Sequence, residues 1–270
     1  MIAAGEAGGI LDTILKRLAT YIEKNVKLKA QVKSAMIYPV AIIVIAAVVV
    51  TVILWKVIPT FANLFAGLGA ELPLPTRVVI AMSNGIVVFG PYIIVALIAA
   101  GFGFRSYYAS PNGRAVIDGF QLKLPILGVL LRKIAVARFC RTLATLTSSG
   151  VPILESLDIT ARTAGNAIVE DAIMGVRKSV EGGKTIVEPL NASGVFPNMV
   201  VQMIGGGEQT GALDSMLNKI ADFYEDEVDI AVAGLVKLLE PVMIFILGVV
   251  IGGIVIAMYL PMFTLINKIG

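Results

Sequence analysis

The chain has 270 residues, of which 57% are hydrophobic and only 15% charged, and its mean hydropathy is +0.88. About a quarter of the residues are charged in ordinary soluble domains, so this composition indicates a membrane protein. The absence of histidine and the single cysteine, Cys140, exclude His-based acid–base catalysis, Ser-His-Asp triads, haem ligation, the usual zinc sites and an internal disulfide. The net charge of +3 is too small to indicate a nucleic-acid partner.

Three uncharged apolar stretches are long enough to cross a bilayer, because each reaches the roughly 20 residues that a 30 Å hydrocarbon core requires. Pro39 and Pro241 stand at the entrances of two of them and predict a helix start or a kink. The first part of the sequence predicts a helix over 1–33 that ends a first cytoplasmic domain, a transmembrane helix over 34–58 and a short periplasmic loop over 59–77. The remainder predicts a transmembrane helix over 78–104, a cytoplasmic helical domain over 105–240, a transmembrane helix over 241–267 and a periplasmic tail over 268–270.

Lysine and arginine beside the spans predict the orientation, since cytoplasmic loops are enriched in both. Between the uncharged apolar stretches 34–55 and 78–104 only Lys56 and Arg77 are basic. The flanks on the other side carry many more: Lys16, Arg17, Lys24, Lys27, Lys29 and Lys33 before the first span, and Arg105, Arg114, Lys123, Arg132, Lys133, Arg138 and Arg141 after the second. We therefore predict a cytoplasmic N-terminus and a C-terminus on the opposite side.

No Asp, Glu, Lys or Arg lies inside the apolar stretches 34–55, 78–104 and 241–267. Ionisable residues within the membrane mark proton relays and ion paths. Their absence from these stretches disfavours a pump or an ion-coupled transporter.

The sequence contains an internal repeat, in which residues 1–61 align with residues 203–263 without a gap. Each copy predicts a polar helix, a proline, a span and a second proline. The matches include Gly5-Glu6 with Gly207-Glu208, Gly9 with Gly211, Leu11-Asp12 with Leu213-Asp214, Pro39 with Pro241, Pro59 with Pro261 and Phe61 with Phe263. Two copies with the same orientation need an odd number of crossings between them, which the span over 78–104 supplies.

The second copy follows a region of helical pattern that the first copy lacks. Met1 aligns with the internal residue Met203. We therefore expect that a domain homologous to the central one was removed from, or lies upstream of, this N-terminus, so that the chain is the remnant of a duplicated unit made of a bundle and a span.

The central region predicts short helices separated by glycines, forming a bundle of about six. Apolar residues at helical spacing continue to the stops at Gly150 and Gly165, Asn166 is a predicted N-cap, and Cys140 is predicted to lie in the core. The predicted helices cover 134–149, 152–164, 166–181, 185–190, 197–205 and 211–239. If Pro241 only kinks the chain, the last of these and the third span form nearly one rod.

Four basic residues at the start of this domain are the candidate partner-binding residues: Arg132, Lys133, Arg138 and Arg141. Arg138 and Arg141 share a helical face. The set is compatible with anchoring at a membrane surface and with docking of an acidic protein.

No set of residues predicts a catalytic or cofactor site. Gly183-Lys184-Thr185 resembles the end of a phosphate-binding loop, but Lys178 stands where that motif needs a glycine. Glu225 and Asp229 are weak candidates for a divalent cation that further oxygen ligands would have to complete. Gly207, Glu208 and Gly211 predict a tight turn between two helices.

Four segments together resemble the inner-membrane platform family of type IV pilus assembly and type II secretion, the PilC/GspF family. They are VKSAMIYPV at 32–40, ARFCRTLATLTSSGVPILESL at 137–157, FPNMVVQMIGGGEQTGALDSML at 196–217 and AMYLPMF at 257–263. The resemblance covers nearly the whole chain, from the end of the family's first six-helix domain onward, and lacks most of that domain.

The resemblance implies an all-α, non-enzymatic platform in the bacterial inner membrane, without a cofactor or nucleic acid. It implies a homo-oligomer that couples a cytoplasmic hexameric ATPase to the movement of pilin subunits, together with other inner-membrane assembly proteins. The rods that end in the first and third spans would carry the motion. Pilus assembly is preferred to type II secretion by the C-terminal segment, and a channel or transporter subunit and a receptor-like scaffold remain as alternatives.

Overall fold

All regular elements are helical in the computed structural model, which describes residues 11–67 and 72–269. A π-helical turn over Ile53–Val57 separates the first two α-helices. The α-helices are α1 (Leu11–Val52), α2 (Ile58–Gly67), α3 (Leu74–Ala109), α4 (Pro111–Lys123), α5 (Leu127–Ser148), α6 (Ile153–Thr163), α7 (Ala167–Glu181), α8 (Val187–Ala192), α9 (Asn198–Thr210) and α10 (Leu213–Ile269). The predicted all-α class is confirmed.

The chain divides into two compact units. The described part of the first, here called the bundle unit, comprises residues 11–34 and 107–235. The described part of the second, the span unit, comprises residues 35–67, 72–106 and 236–269. Helices α1, α3 and α10 each have residues in both units.

The core of the bundle unit is built around α5. Phe139, Cys140 and Leu143 are fully buried there, as predicted for the cysteine. The ring of Phe139 lies 4.8 Å from that of Phe196. Other helices add fully buried apolar side chains at helical spacing: Leu157 from α6, Ile173 from α7, Leu190 from α8, Ile204 from α9, and Leu217 and Ile220 from α10.

The predicted helix ends in this unit are largely confirmed. Gly150 and Gly165 follow their helices with φ of 77° and 79°, a region that a residue with a Cβ rarely adopts. The Asn166 side chain accepts hydrogen bonds from the amides of Ile168 and Val169, at 3.0 and 3.3 Å. It therefore caps α7 as expected.

The described part of the bundle unit contains a helix in addition to the six predicted. Helix α4 was not predicted, and α5 begins at Leu127, earlier than Ile134. The sequence does mark the beginning of α4. Ser110 caps this helix by accepting a hydrogen bond from the Gly113 amide at 3.1 Å, and Pro111 occupies its first turn. Helix α8 covers Val187–Ala192, slightly later than predicted, and α9 continues to Thr210.

Within residues 11–67 and 72–269, three helices are long and apolar enough to cross a membrane, which agrees with the predicted number. They cover Lys33–Phe65, Leu74–Ala109 and Leu213–Phe263. The loop predicted over 59–77 is shorter than expected, because α2 continues to Gly67 and α3 begins at Leu74. Residues 68–71, within that predicted loop, lie outside the described residues.

The predicted kink prolines are inside helices. Pro39 lies within α1 and Pro241 within α10, and both helices continue through them. The rod expected from the last bundle helix and the third span is present as α10, a single helix of 57 residues.

Candidate partner-binding surface and polar sites of the spans

The Arg141 side chain connects α5 to α10 inside the bundle unit. Its Nε donates to Oε1 of Glu225 at 2.7 Å and its Nη1 donates to Oδ1 of Asn218 at 2.9 Å. Its Nη2 forms an ion pair with Asp222. The three acceptors are spaced by four and three residues, so they share one face of α10.

The environment of Arg141 stabilises its charge. Burial by itself disfavours the charged guanidinium, but its hydrogen bonds to the carboxylates of Glu225 and Asp222 outweigh that effect and raise the pKa of Arg141. Only 9% of the Arg141 side chain is exposed. Arg141 therefore holds two helices together, with its side chain against α10 rather than in solvent. Its role in partner docking stays a prediction.

The other three basic residues differ in accessibility. Arg132 is exposed, and Lys133 is partly exposed with its Nζ 2.6 Å from Oε2 of Glu227. Arg138 is half-buried, with its Nη1 only 2.6 Å from the point where a Cβ on Gly165 would lie. Of the four predicted residues, Arg132 is therefore the exposed one, and their joint role in partner binding stays a prediction.

Arg132 and Lys133 line a groove together with Lys123. The groove has a volume of about 360 Å³. Its walls are the end of α4, the turn to α5, the first two turns of α5, Pro197 and Tyr224. We call it the α4–α5 groove. Lys123 was not among the predicted site residues because its helix was missed, although Ser110-Pro111 marks where that helix begins.

The pair of carboxylates considered for a cation is used differently. Oε1 of Glu225 accepts a hydrogen bond from Arg141, so this carboxylate is already paired with a guanidinium. Asp229, one turn further along α10, also has an interaction of its own. Among residues 11–67 and 72–269 there is no group of three or more His, Cys, Asp or Glu side chains that could hold a metal ion.

The predicted glycine-rich turn is shorter than the sequence indicates. Gly207 and Glu208 lie within α9, and only Gly211 is in the turn, with φ of 70°. A Cβ on Gly207 would lie 3.0 Å from the Leu213 Cα, so this glycine permits close packing of α9 on α10. The first copy of the motif, at residues 5–9, lies outside the described residues.

Glu208 has a capping role that its sequence context did not reveal. Its Oε1 and Oε2 accept from the Ile186 amide at 3.0 and 3.2 Å. Ile186 precedes the first residue of α8. Glu208 thus satisfies an amide at the start of a neighbouring helix, where a carboxylate is also favoured by the helix dipole.

Two buried hydroxyls of α3 bond to carbonyls that prolines leave without an amide partner. In an α-helix the amide of residue 261 would bond to the carbonyl of Ala257, but Pro261 has no N–H. Oγ1 of Thr76 donates to that carbonyl at 2.6 Å. Non-hydrogen-bonded carbonyls are costly in hydrocarbon, and Ser or Thr hydroxyls are a usual remedy.

The first repeat copy shows the same arrangement, except that the carbonyl that accepts the hydroxyl lies one residue earlier in the repeat. In the π-helical turn the Ile58 amide bonds five residues back to the Ile53 carbonyl, so the next carbonyl, that of Leu54, would pair with Pro59. The Ser83 hydroxyl donates to the Leu54 carbonyl instead. Thr76 and Ser83 lie two turns apart on one face of α3 and are 7% and 1% exposed. The π-turn and both hydroxyls were missed by the sequence reasoning, although the paired prolines indicate where such partners are needed.

These features define a helical membrane protein with a bundle unit and three helices of spanning length. The family described as type II secretion system (T2SS) protein F matches residues 1–59 and 139–261. The chain belongs to this family, which confirms the resemblance found in its sequence.

Individual relatives carry two kinds of name. The type IV pilus assembly protein PilC of Myxococcus xanthus is 53% identical over 269 residues, covering 100% of this chain and 64% of that protein. The PilC of Thermus thermophilus is 47% identical over 274 residues, covering 100% of this chain and 66% of that protein. The type II secretion system protein F of Pseudomonas aeruginosa is 36% identical over 269 residues, with coverages of 100% and 66%. The chain thus spans about two thirds of the length of each of these relatives.

Proposed function

We propose that the chain is the platform part of a type IV pilus machine in a bacterial inner membrane. In this role it couples a cytoplasmic hexameric ATPase to the insertion or extraction of pilin subunits. Its N-terminus is cytoplasmic and its C-terminus periplasmic, and it works as a homo-oligomer beside other inner-membrane assembly proteins. It transmits force and carries out no chemistry of its own.

The observation that carries this proposal is the continuity of α10. Leu217, Ile220 and Val228 near its beginning are buried in the bundle unit, and its later part is the third helix of spanning length. A helix of 57 residues is about 85 Å long at 1.5 Å per residue. We propose that α10 transmits a displacement of the bundle unit to the third span.

Pilus assembly is favoured over secretion by the relatives. The two relatives named for pilus assembly are 53% and 47% identical, whereas the one named for type II secretion is 36% identical. A platform of a type II secretion system is the second candidate, since it belongs to the same family.

The coupling is tested by interrupting α10. Two glycines inserted after Leu239 in the native gene would break the helix between the bundle and the span. We expect piliation to be lost while membrane insertion and co-purification of the ATPase persist. The matched control inserts two glycines after Gly182, in the turn that follows α7, and should leave piliation unchanged. Normal piliation with the interrupted α10 would refute the proposed transmission.

The orientation is tested with a membrane-impermeant maleimide on intact cells. Asn63 and Lys184 are both exposed, so a cysteine at either position can react if the reagent reaches it. We expect Asn63→Cys to be labelled in intact cells and Lys184→Cys only after the membrane is opened. The opposite pattern would reverse the proposed orientation.

A further inference from the structure

The corner between α4 and α5 exposes an unusual amount of apolar surface for the bundle unit. Large apolar side chains are largely exposed within a short stretch of chain: Val116 (62%), Phe120 (66%), Ile126 (60%), Leu127 (47%) and Val129 (55%). Val116, Phe120 and Lys123 are spaced by four and three residues and so share one face of α4. Exposed apolar side chains gathered in one short segment are typical of a binding face.

The basic residues of this corner are concentrated in the α4–α5 groove. Lys123, Arg132 and Lys133 line it, and no acidic residue does. Lys133 is paired with Glu227, whereas Lys123 and Arg132 form no ion pair with any residue in the described ranges. The groove thus presents positive charge that this part of the chain does not neutralise.

The close approach of the two helices depends on Gly128. A Cβ at this position would lie 2.4 Å from the carbonyl oxygen of Leu122. Only glycine therefore permits the tight turn that brings Lys123 beside the first turns of α5. The groove is a product of this turn rather than of one helix alone.

Chain connectivity limits the distance between the second apolar stretch and the beginning of α4. The second apolar stretch ends at Phe104, and α4 begins at Pro111. Even fully extended, the chain between these two residues spans at most about 25 Å. The beginning of α4 therefore lies within this distance of the end of the second apolar stretch.

From this combination we infer that the α4–α5 groove binds the phosphate-bearing headgroup of an anionic phospholipid. Lys123 and Arg132 contact the phosphate, while Val129 and the exposed apolar residues of the corner contact the glycerol and acyl region. Apolar side chains beside basic ones are the pattern of interfacial lipid binding. The inference requires that the chain spans a bilayer but is independent of ATPase coupling.

The test measures lipid retention on the purified full chain. Native mass spectrometry after exchange into mixed micelles compares bound phosphatidylglycerol with bound phosphatidylcholine. We expect a preference for phosphatidylglycerol that the double variant Lys123→Gln and Arg132→Gln weakens about 30-fold, from the loss of two headgroup-facing charges. The control is Lys178→Gln with Lys219→Gln, which removes the same charge from two other exposed positions and should retain the preference.

A second set of measurements distinguishes lipid binding from binding of a free anion and from protein docking. Inorganic phosphate at millimolar concentration should not displace the lipid, because it lacks the apolar part. Displacement would overturn the lipid assignment in favour of a free-anion site. Unchanged lipid preference in the double variant, with loss of ATPase co-purification, would overturn it in favour of protein docking. If the double variant loses lipid preference but keeps the ATPase, the inference and the proposed function both stand.

Discussion

The Thr76 hydroxyl bonds to the carbonyl of Ala257 across 2.6 Å, and that carbonyl lacks an amide partner because the residue four positions later is Pro261. In the first repeat copy, the Ser83 hydroxyl donates a hydrogen bond to the Leu54 carbonyl, which Pro59 leaves without an amide donor. The middle span therefore supplies a hydroxyl to each copy of the duplicated span. Helix α3 has no counterpart in the repeat, and it is connected to both copies by these hydrogen bonds.

We expect Thr76→Val to destabilise the span unit by about 1 kcal/mol, the size of a typical polar contact between membrane helices. The isosteric valine removes the hydroxyl and leaves the Ala257 carbonyl without a donor. In a Pro261→Ala background the restored amide can serve that carbonyl, so the same change should have little effect. Thermal unfolding in detergent, followed by circular dichroism, measures both. Equal losses in the two backgrounds would contradict this role.

Arg141→Leu should destabilise the bundle unit strongly, by about 3 kcal/mol, because it leaves Glu225 and Asp222 without their guanidinium. Arg162→Leu is the matched control. Arg162 pairs with Asp158 on the surface and its side chain is 72% exposed, so its loss should cost less than about 0.5 kcal/mol. Chemical unfolding of the purified protein compares the two variants, and similar losses would show that the Arg141 network contributes little.

Cys140 should be unreactive in the folded protein. Burial raises the pKa of its thiol, and the charge of Arg141 offsets this only in part. The reactive thiolate is therefore suppressed. A thiol reagent at pH 8 should label Cys140 only as fast as the bundle opens, and Arg141→Leu should accelerate labelling. Rapid labelling of the folded wild type would contradict the burial.

The same thiol predicts a pH dependence. Above its ordinary pKa of 9.0 the unfolded chain releases the proton that the folded chain retains, so the unfolded state binds fewer protons. Stability contributed by this group is therefore complete below that pH and declines as the pH rises. The free energy of unfolding of the wild type and of Cys140→Ala, measured between pH 8 and pH 10, isolates the contribution of the thiol. This free energy should decline less steeply with pH in the alanine variant.

Glu208→Ala should cost about 1 kcal/mol, the usual effect of losing a helix cap. The Ile186 amide at the start of α8 would lose its carboxylate acceptor. Glu188→Ala is the control, because Glu188 only pairs with Lys184 on the surface. Hydrogen exchange should show faster exchange of the Ile186 amide in the first variant alone. Unchanged exchange there would remove the capping role.

The sequence by itself determined the all-α class, the three spans, the helix stops at Gly150 and Gly165 and the Asn166 cap. These depend on contiguous hydropathy and on residue preferences within a few positions, which are local properties of the chain. It also predicted that Cys140, flanked by Phe139 and Arg141, lies in the core. The family resemblance came from four such continuous segments.

Only the tertiary structure decided what the polar side chains do. Arg141 shares a helical face with Arg138, but whether that face meets solvent or α10 depends on packing between helices far apart in sequence. Lys123 joins Arg132 in one groove only because Gly128 lets α4 and α5 turn tightly. Thr76 and Ala257 are remote in the chain. The Thr76 hydroxyl can donate to the Ala257 carbonyl, which Pro261 leaves without an amide donor, only after the helices have packed. Such pairings follow from three-dimensional contact, which no local pattern encodes.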